Sequence, residues 1–591
     1  MAAPSLEVEM SQTMSPLRQL LSMWYTVVVV LIPLVLLPLP LIINTQEAKC
    51  AYVIFVMAAL WITEALPMAV TSLLPVVLFP MMGVMPADKV SATYFSDASL
   101  LLFGGLAVTI ALEEHNLHKR IALFALNIVG TQPRWLLLGT MLVTWFLSMW
   151  MNNTATTAMM IPIVQAVLDQ VQMAQDTEGR EDTELSVFVD DSTGSAKGAE
   201  DSASGQLDDS SKDTKGGNAR QRRLSVQRLG KAMYLSIAMS ANIGGTATLI
   251  GTGTNVVFLG LTKTFYQHYE TDNPINFTSW MVLAFPLSAL LILMAWIWFQ
   301  ILFLRCNGCC SCLFSRNNRD ATSNLQKRTT AMLKEEYRKL GSISYAEGTV
   351  AILFFWRGRG WGNLFQKDSV SDSTPALLVA VLMFFIPSSL PDILFRQKRG
   401  AHLPRKRLEP LLNWKVLHQK IPWSLFLLVG GGFAIAKASQ TSGLSQWIGD
   451  NLRNLGDLGP WVTLIIICYI VVSATQIMSN VALTTLLVPI VAQMALSMEV
   501  SPLFFMVPVA ITSSLAFMLP VATAPNAIVF ASGTVKVIDM VLSGFMVSAL
   551  GVPMVVFATY TWGNAFFHLE ILPDALKQNI SVVAPVNVSI A

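Results

Sequence analysis

Asparagine, threonine, serine and glycine recur at four points inside strongly apolar stretches, and the four points form two matched pairs. The run Asn152-Asn-Thr-Ala-Thr-Thr-Ala-Met-Met-Ile-Pro-Ile-Val164 aligns with Ser479-Asn-Val-Ala-Leu-Thr-Thr-Leu-Leu-Val-Pro-Ile-Val491 at an offset of 327. Six positions are identical: Asn153/Asn480, Ala155/Ala482, Thr157/Thr484, Pro162/Pro489, Ile163/Ile490 and Val164/Val491. Downstream of each lies a second break, Gly251-Thr-Gly-Thr-Asn255 and Ala522-Thr-Ala-Pro-Asn526, at an offset of 271. Amide, hydroxyl and free carbonyl oxygens at such breaks can hold a hard cation. Free N–H groups at the positive end of a helix can hold an anion. The breaks carry almost no charge, which suits oxygen-ligated sodium better than a carboxylate proton relay. Small and hydroxylated residues also pack helices together, but two repeated pairs favour a binding site.

The elements that must position these residues are apolar helices. The chain has 591 residues, 53% hydrophobic and only 13% charged, with a mean hydropathy of +0.55; soluble domains carry about 25% charged residues. Apolar runs cover Trp24–Ile43, Ala51–Ile62, Leu66–Val84, Trp135–Met151, Trp280–Leu304, Leu425–Ala438, Trp461–Ala474 and Met540–Tyr560. A spanning helix needs about 20 mostly apolar residues, so this is an all-α polytopic membrane protein and a soluble enzyme is excluded. Unwound backbone at membrane depth is tolerated only where protein buries it or it lines a wet cavity. Repeated halves with Gly/Pro-interrupted segments therefore point to the midplane site of a secondary transporter. Glycine-bearing segments upstream, Phe103-Gly-Gly105 and Val429-Gly-Gly-Gly432, extend the match between halves. The two offsets differ by 56, close to the 58 residues of Gln172–Leu229, so that polar segment is an insertion in the first half.

Three polar segments set the topology. Gln172–Leu229, with 12 acids and 8 bases, reads as a disordered cytoplasmic linker; within it Arg222-Arg223-Leu224-Ser225 fits a basophilic kinase site. Arg305–Lys339 carries 8 bases against 3 acids, and Pro391–Lys420 carries 8 against 2. Both face the cytoplasm by the positive-inside rule. Two loops on one side need an even number of spans between them. The interval offers Thr374–Ile386 and Tyr345–Trp356, and the latter's dozen residues reach only roughly 18 Å of a core about 30 Å thick. It is either re-entrant or a shortened span. The sequons at Asn276, Asn579 and Asn587 lie in short polar stretches able to face outward, whereas Asn152-Asn-Thr154 has apolar flanks. Cys306, Cys309, Cys310 and Cys312 sit just past an apolar run, which suits palmitoylation better than metal binding; having no special role is the other reading.

The resulting organisation is a cytoplasmic N-terminus (1–22), a first repeat (23–171), the linker (172–229) and the rest of the first repeat (230–304). A basic loop (305–345), a connecting segment with the truncated span (346–390) and a second basic loop (391–420) follow. The second repeat (421–565) and an extracellular C-terminus (566–591) complete it. The formal charge of +2 gives no field for nucleic acid. The apolar regions hold no His/Cys/Asp/Glu cluster with catalytic spacing, so no enzyme is expected. Glu64, Glu113, Glu114 and Lys437 lie in or beside apolar runs, where they either tune coupling or cap helices and snorkel.

Ser514-Leu-Ala-Phe517-Met-Leu-Pro520-Val-Ala-Thr-Ala-Pro-Asn526-Ala-Ile-Val529 resembles the signature of the divalent anion–sodium symporters, solute carrier family 13. Thr63-Glu-Ala-Leu-Pro67, Phe146-Leu-Ser-Met-Trp150 and Leu428-Val-Gly-Gly-Gly-Phe-Ala434 add to the resemblance, which covers nearly the whole chain. It implies an inverted-repeat fold with about 11 spans, broken helices and two re-entrant hairpins. It also implies a scaffold, an elevator-type transport domain, and a homodimer in the plasma membrane. The implied cargo is sodium with a di- or tricarboxylate such as succinate or citrate, and no cofactor. The carboxylate branch is the closer match; sulfate transport, or a non-transporting regulatory protein of the same fold, are the alternatives. The implied sodium ligands are Ser148, Asn152, Asn153 and Gly244 or Gly245 in one half, and Thr475, Met478, Asn480 and Ala522 in the other. The implied substrate contacts are Asn153, Thr154, Ser479 and Asn480, with Thr252, Thr523 and Pro525 lining the site. Against the family pattern, Asn152 replaces Ser, Gln476 replaces Glu, and Thr254 replaces Pro.

Overall fold

The computed structural model describes residues 24–129, 133–169, 171–173, 209–304, 331, 334–356, 370–371, 373–389, 408–444, 447–448, 459–574 and 576–577. Among these every regular element is helical, apart from one isolated bridge between Pro387 and Pro410. Among the described residues six helices are long and apolar enough to cross a membrane: Trp24–Ile42, Gln46–Thr63, Ala87–Glu114, Phe277–Phe303, Asn480–Ser497 and Val537–Phe567. Shorter apolar helices include Arg134–Ser148, Ser373–Phe385, Pro460–Ala474 and Leu503–Thr512. The short segment expected from the sequence is a helix over Tyr345–Trp356. Most of the linker and the four clustered cysteines lie outside the described residues, as do Asn579 and Asn587. From Asp209 the linker backbone is helical and runs on to Thr246.

The chain forms two units. One comprises Met1–Tyr94 and Ser424–Trp447. There Gly430 and Gly431 lie so close to Tyr94 and to the Ser72 backbone that a Cβ on either would collide. Thr93 Oγ1 fastens the contact by donating to Gly430 O at 3.3 Å. The Tyr52 hydroxyl donates to Pro33 O at 3.3 Å, tying the first apolar helix to the next.

The other unit comprises Phe95–Trp423 and Ile448–Ala591, and contains all four motif breaks. Its motif helices are numbered α1 (Pro133–Ser148), α2 (153–169), α3 (Asp209–Thr246), α4 (Gly253–His268), α5 (Pro460–Ala474), α6 (Asn480–Ser497), α7 (Leu503–Thr512) and α8 (Ala524–Ala531). Each half thus has the order helix, break, helix twice over. α1 packs on α3, α6 on α7, and the halves interlock through α4 on α6 and α3 on α8. At about 1.5 Å per residue, the 15-residue α5 reaches roughly 22 Å, short of a core about 30 Å thick.

Charged groups stand apart from the breaks. Arg120, almost fully buried, pairs with Glu347 at 3.1 Å and donates to Leu340 O and Gly341 O. Glu347 and Ser344 cap the Tyr345–Trp356 helix reciprocally, each side chain bonding the other's backbone N–H at 3.1 Å. Asp97 pairs with Lys263 at 2.7 Å and accepts from Ser371 and Ser373. Glu113 and Glu114 pair with Lys420 at 3.0 and 3.3 Å, and Glu64 ends its helix in a left-handed conformation (φ 49°).

Candidate functional site

The first cage forms where α1 stops. Ser148, fully buried, ends the helix and aims its hydroxyl at Ala241 O (2.8 Å) and Asn153 Oδ1 (2.7 Å). One hydroxyl hydrogen cannot serve both acceptors. The corner of the Asn153 amide that faces Ser148 also faces two carbonyls. Turned over, it would place its nitrogen 2.7 Å from Ser148 Oγ, 3.2 Å from Ala241 O and 3.3 Å from Gly251 O. With the amide oxygen turned to this corner, oxygens outnumber protons; with the nitrogen there, the amide supplies the missing protons. Gly245 makes room for it, since a Cβ there would lie 2.5 Å from Asn153 Oδ1. Gly244 likewise lets α3 press against the Trp145 carbonyl.

The second cage repeats the arrangement. Thr475, fully buried at the end of α5, donates its hydroxyl toward Asn480 Oδ1 at 2.8 Å and toward Ser513 O. Again one proton meets two acceptors. The second breaks match as well. Asn255 donates to Gly245 O (3.1 Å) and Thr248 O (2.7 Å), and Asn526 donates to Ala516 O (3.1 Å) and Leu519 O (3.0 Å). The side chains that pair or cap in these breaks are Asn, Gln, Ser and Thr, so the cages hold no formal charge of their own.

The helix starts differ from the ordinary ones in this chain. At Thr45, Ser96 and Asn276 the side chain caps its own helix, accepting from the N–H three residues on. Thr252, Ser479 and Thr523 occupy the same extended position before α4, α6 and α8, yet none caps its helix. The first N–H groups there, which lack intrahelical partners, keep their donors for something else. Asn152 is the exception: its Oδ1 accepts from Thr154 N at 3.0 Å, making it the cap of α2. Pro525 stands at the start of α8, where its missing N–H costs nothing.

Of the residues expected from the sequence, Ser148, Asn153 and Gly245 meet at the first cage, and Thr475 meets Asn480 at the second. Met478 and Ala522 contribute backbone turns, donating to Ala474 O and Leu519 O. Thr154 and Ser479 stand beside Asn153 and Asn480 at their helix starts.

A family model described as the sodium:sulfate symporter transmembrane region matches residues 18–569. The chain belongs to that symporter family. The rat Na(+)/citrate cotransporter is 42% identical over 92% of this chain and 95% of its own length. Human solute carrier family 13 member 2 is 41% identical, covering 93% and 95%. The rat Na(+)/dicarboxylate cotransporter 3 is 38% identical, covering 93% of each.

Two residues of this symporter-family chain were not among the expected site residues, Gln476 having been noted only as a departure from the family pattern. Gln476, almost fully buried, accepts from Phe517 N (3.1 Å) and Met518 N (3.0 Å) and donates to Leu515 O (2.9 Å) and Val472 O (2.8 Å). It braces the unwound stretch after α7. Asn242 lies in α3 and donates to Thr523 Oγ1 at 3.1 Å, joining the halves. The only hint of it in the sequence is a lone amide within Ala241-Asn-Ile-Gly-Gly245, in a run otherwise built of small and apolar residues.

Proposed function

We infer that this chain is a secondary active symporter that couples sodium to the uptake of di- and tricarboxylates. The observation that carries the reading is a pairing found in both halves. An oxygen-rich, proton-poor cage adjoins a helix start whose hydroxyl leaves its own N–H groups unbonded. A cation answers the surplus of oxygen lone pairs, and a carboxylate answers the free donors and the positive helix ends. Sodium is held by Ser148, Asn153 and the carbonyls beside Gly245 in the first half, and by Thr475, Asn480 and the carbonyls near Ser513 in the second. The carboxylates meet Asn153, Thr154, Ser479 and Asn480, with Thr252, Thr523 and Pro525 around them. Each cargo orders groups that the other needs, so each strengthens the other's binding by the same factor. The citrate and dicarboxylate cotransporters among the relatives favour carboxylate over sulfate.

The protein works in the plasma membrane as a homodimer of inverted-repeat protomers with about 11 spans, its transport domain moving as an elevator. Its N-terminus is cytoplasmic and its C-terminus extracellular. Asn276, exposed at the start of the Phe277–Phe303 span, lies on the outer side, and the basic loop after that span lies inside.

The test is uptake of labelled succinate, citrate and sulfate into cells expressing the chain, in sodium and with choline in its place, alongside surface labelling. Sodium-dependent succinate or citrate uptake supports the reading. Sulfate uptake alone overturns the choice of cargo. Surface-expressed protein that accumulates none of the three overturns symport.

A further inference from the structure

Asn242 is 3% exposed and lies between the two halves of the site. Its Nδ2 is 3.1 Å from Thr523 Oγ1 and 3.4 Å from Ala516 O, while its Oδ1 is 3.4 Å from Asn153 Nδ2. A carbonyl only accepts, so Ala516 O directs the nitrogen of Asn242 toward the second half and its oxygen toward Asn153. That oxygen in turn favours the nitrogen of Asn153, which leaves the oxygen of Asn153 facing Ser148 Oγ, Ala241 O and Gly251 O. Turned over, Asn153 would bring its two N–H protons to those three oxygens and, together with the Ser148 hydroxyl, satisfy the cage. It would then set its oxygen against the oxygen of Asn242. The two ways of setting the Asn153 amide therefore have different partners. One offers an oxygen to a cation and keeps the bond to Asn242. The other closes the cage and gives that bond up.

We propose that Asn242 is a positioning residue, the middle of a relay Asn153–Asn242–Thr523 through which sodium in the first cage sets up the carboxylate-binding end of the second half. This rests on the symport reading. A cation in the cage holds the Asn153 oxygen, so the nitrogen stays on Asn242, and Asn242 holds the Thr523 hydroxyl and Ala516 O at the approach to α8. Without the cation the amide turns, the relay opens, and Thr523 loses its anchor in the first half. Part of the sodium dependence of carboxylate affinity thus travels through one side chain. A merely packed amide would give stability alone.

The test uses full-length protein and two variants. In proteoliposomes, the succinate KM is measured at low and at saturating sodium. In detergent, thermal unfolding is followed as sodium replaces choline, with no carboxylate present. Wild-type KM is expected to fall by about fivefold or more as sodium rises, within the usual range of coupling between sites. Asn242→Ala is expected to lose most of that dependence and to need more sodium for the same thermal stabilisation. Asn242→Asp keeps the shape and an acceptor for Asn153 but has no donor for Thr523 or Ala516. It is expected to retain the sodium-induced stabilisation and still lose the sodium dependence of KM. That split separates a relay from a structural role, and it stands even where the alanine variant fails to fold. Wild-type sodium dependence of KM in the aspartate variant overturns the relay. Wild-type protein that takes up no succinate in sodium overturns the symport reading instead.

Discussion

Asn255 and Asn526 perform the same task at equivalent places, each turning its amide back onto the unwound chain before its own helix. Asn255 bonds Gly245 O and Thr248 O, and Asn526 bonds Ala516 O and Leu519 O. Both pairs of carbonyls are related by the 271-residue offset seen in the sequence. The motif repeat is thus a repeat of hydrogen bonding, and removing a partner on either side should have parallel effects.

Asn153→Ala and Asn480→Ala are each expected to reduce sodium-dependent uptake to the level seen in choline, with surface labelling unchanged. Each removes the one side chain shared by a cage and a helix start. Wild-type uptake by both variants would refute the assignment of the cages.

Gly245→Ala places a methyl group 2.5 Å from Asn153 Oδ1. Overpacking of this kind costs about 1–3 kcal/mol, and here it pushes directly on the first cage. The expected result is folded, surface-expressed protein whose half-saturating sodium concentration rises severalfold. A sodium activation curve that overlays the wild type would contradict it.

Gln476→Leu keeps the bulk but strips partners from two backbone N–H groups and two carbonyls. Each buried group left unpaired costs about 1–3 kcal/mol. Thermal melting of the purified protein should fall, and uptake should fall with it because the unwound stretch after α7 loses its brace. An unchanged melting curve would show that the brace is dispensable.

Glu347→Ala strands the Arg120 guanidinium in a buried place. Breaking a buried pair from one side costs about 3–5 kcal/mol, and the same carboxylate also caps the Tyr345–Trp356 helix. Retention inside the cell is the expected outcome, read by surface labelling. Replacing Arg120 by Met alongside Glu347→Leu removes both charges and should restore part of the surface protein; normal delivery of the single variant would refute the argument.

On the proposed topology the exposed Asn276 faces outward and should carry glycan. Removing N-linked sugars should speed the protein's migration on a gel, and Asn276→Gln should remove the share of that shift due to this sequon. If that variant leaves the shift unaltered, the site is unused.

Much of the candidate site was legible in the sequence because a broken helix within a membrane needs residues that satisfy or free the backbone. Asn153 and Asn480 stand out for that reason, Ser148 and Thr475 enter only through the family resemblance, and the short Tyr345–Trp356 helix is visible from the apolar run that ends there. Gln476 and Asn242 were not legible as site residues. Gln476 bonds backbone about 40 residues away, and Asn242 bonds a hydroxyl 281 residues away; an isolated amide gives no sign of a distant partner. The helix from Asp209 was hidden for another reason. Its first turns are rich in Ser, Gly and charge, which read as linker, and only the later turns, from Leu229 on, are apolar.

The cages and helix starts are made from Asn, Ser, Thr and Gly, none of which gains or loses a proton in the range where proteins work. Acidity therefore has little hold on the binding chemistry of the protein itself. Where transport changes with pH, the change should follow the charge state of the cargo. A dicarboxylate already fully ionised should give a nearly flat profile across neutral pH, and a tricarboxylate that still takes up a proton there should give a sloping one. The profile would then report which ionic form of the acid is carried.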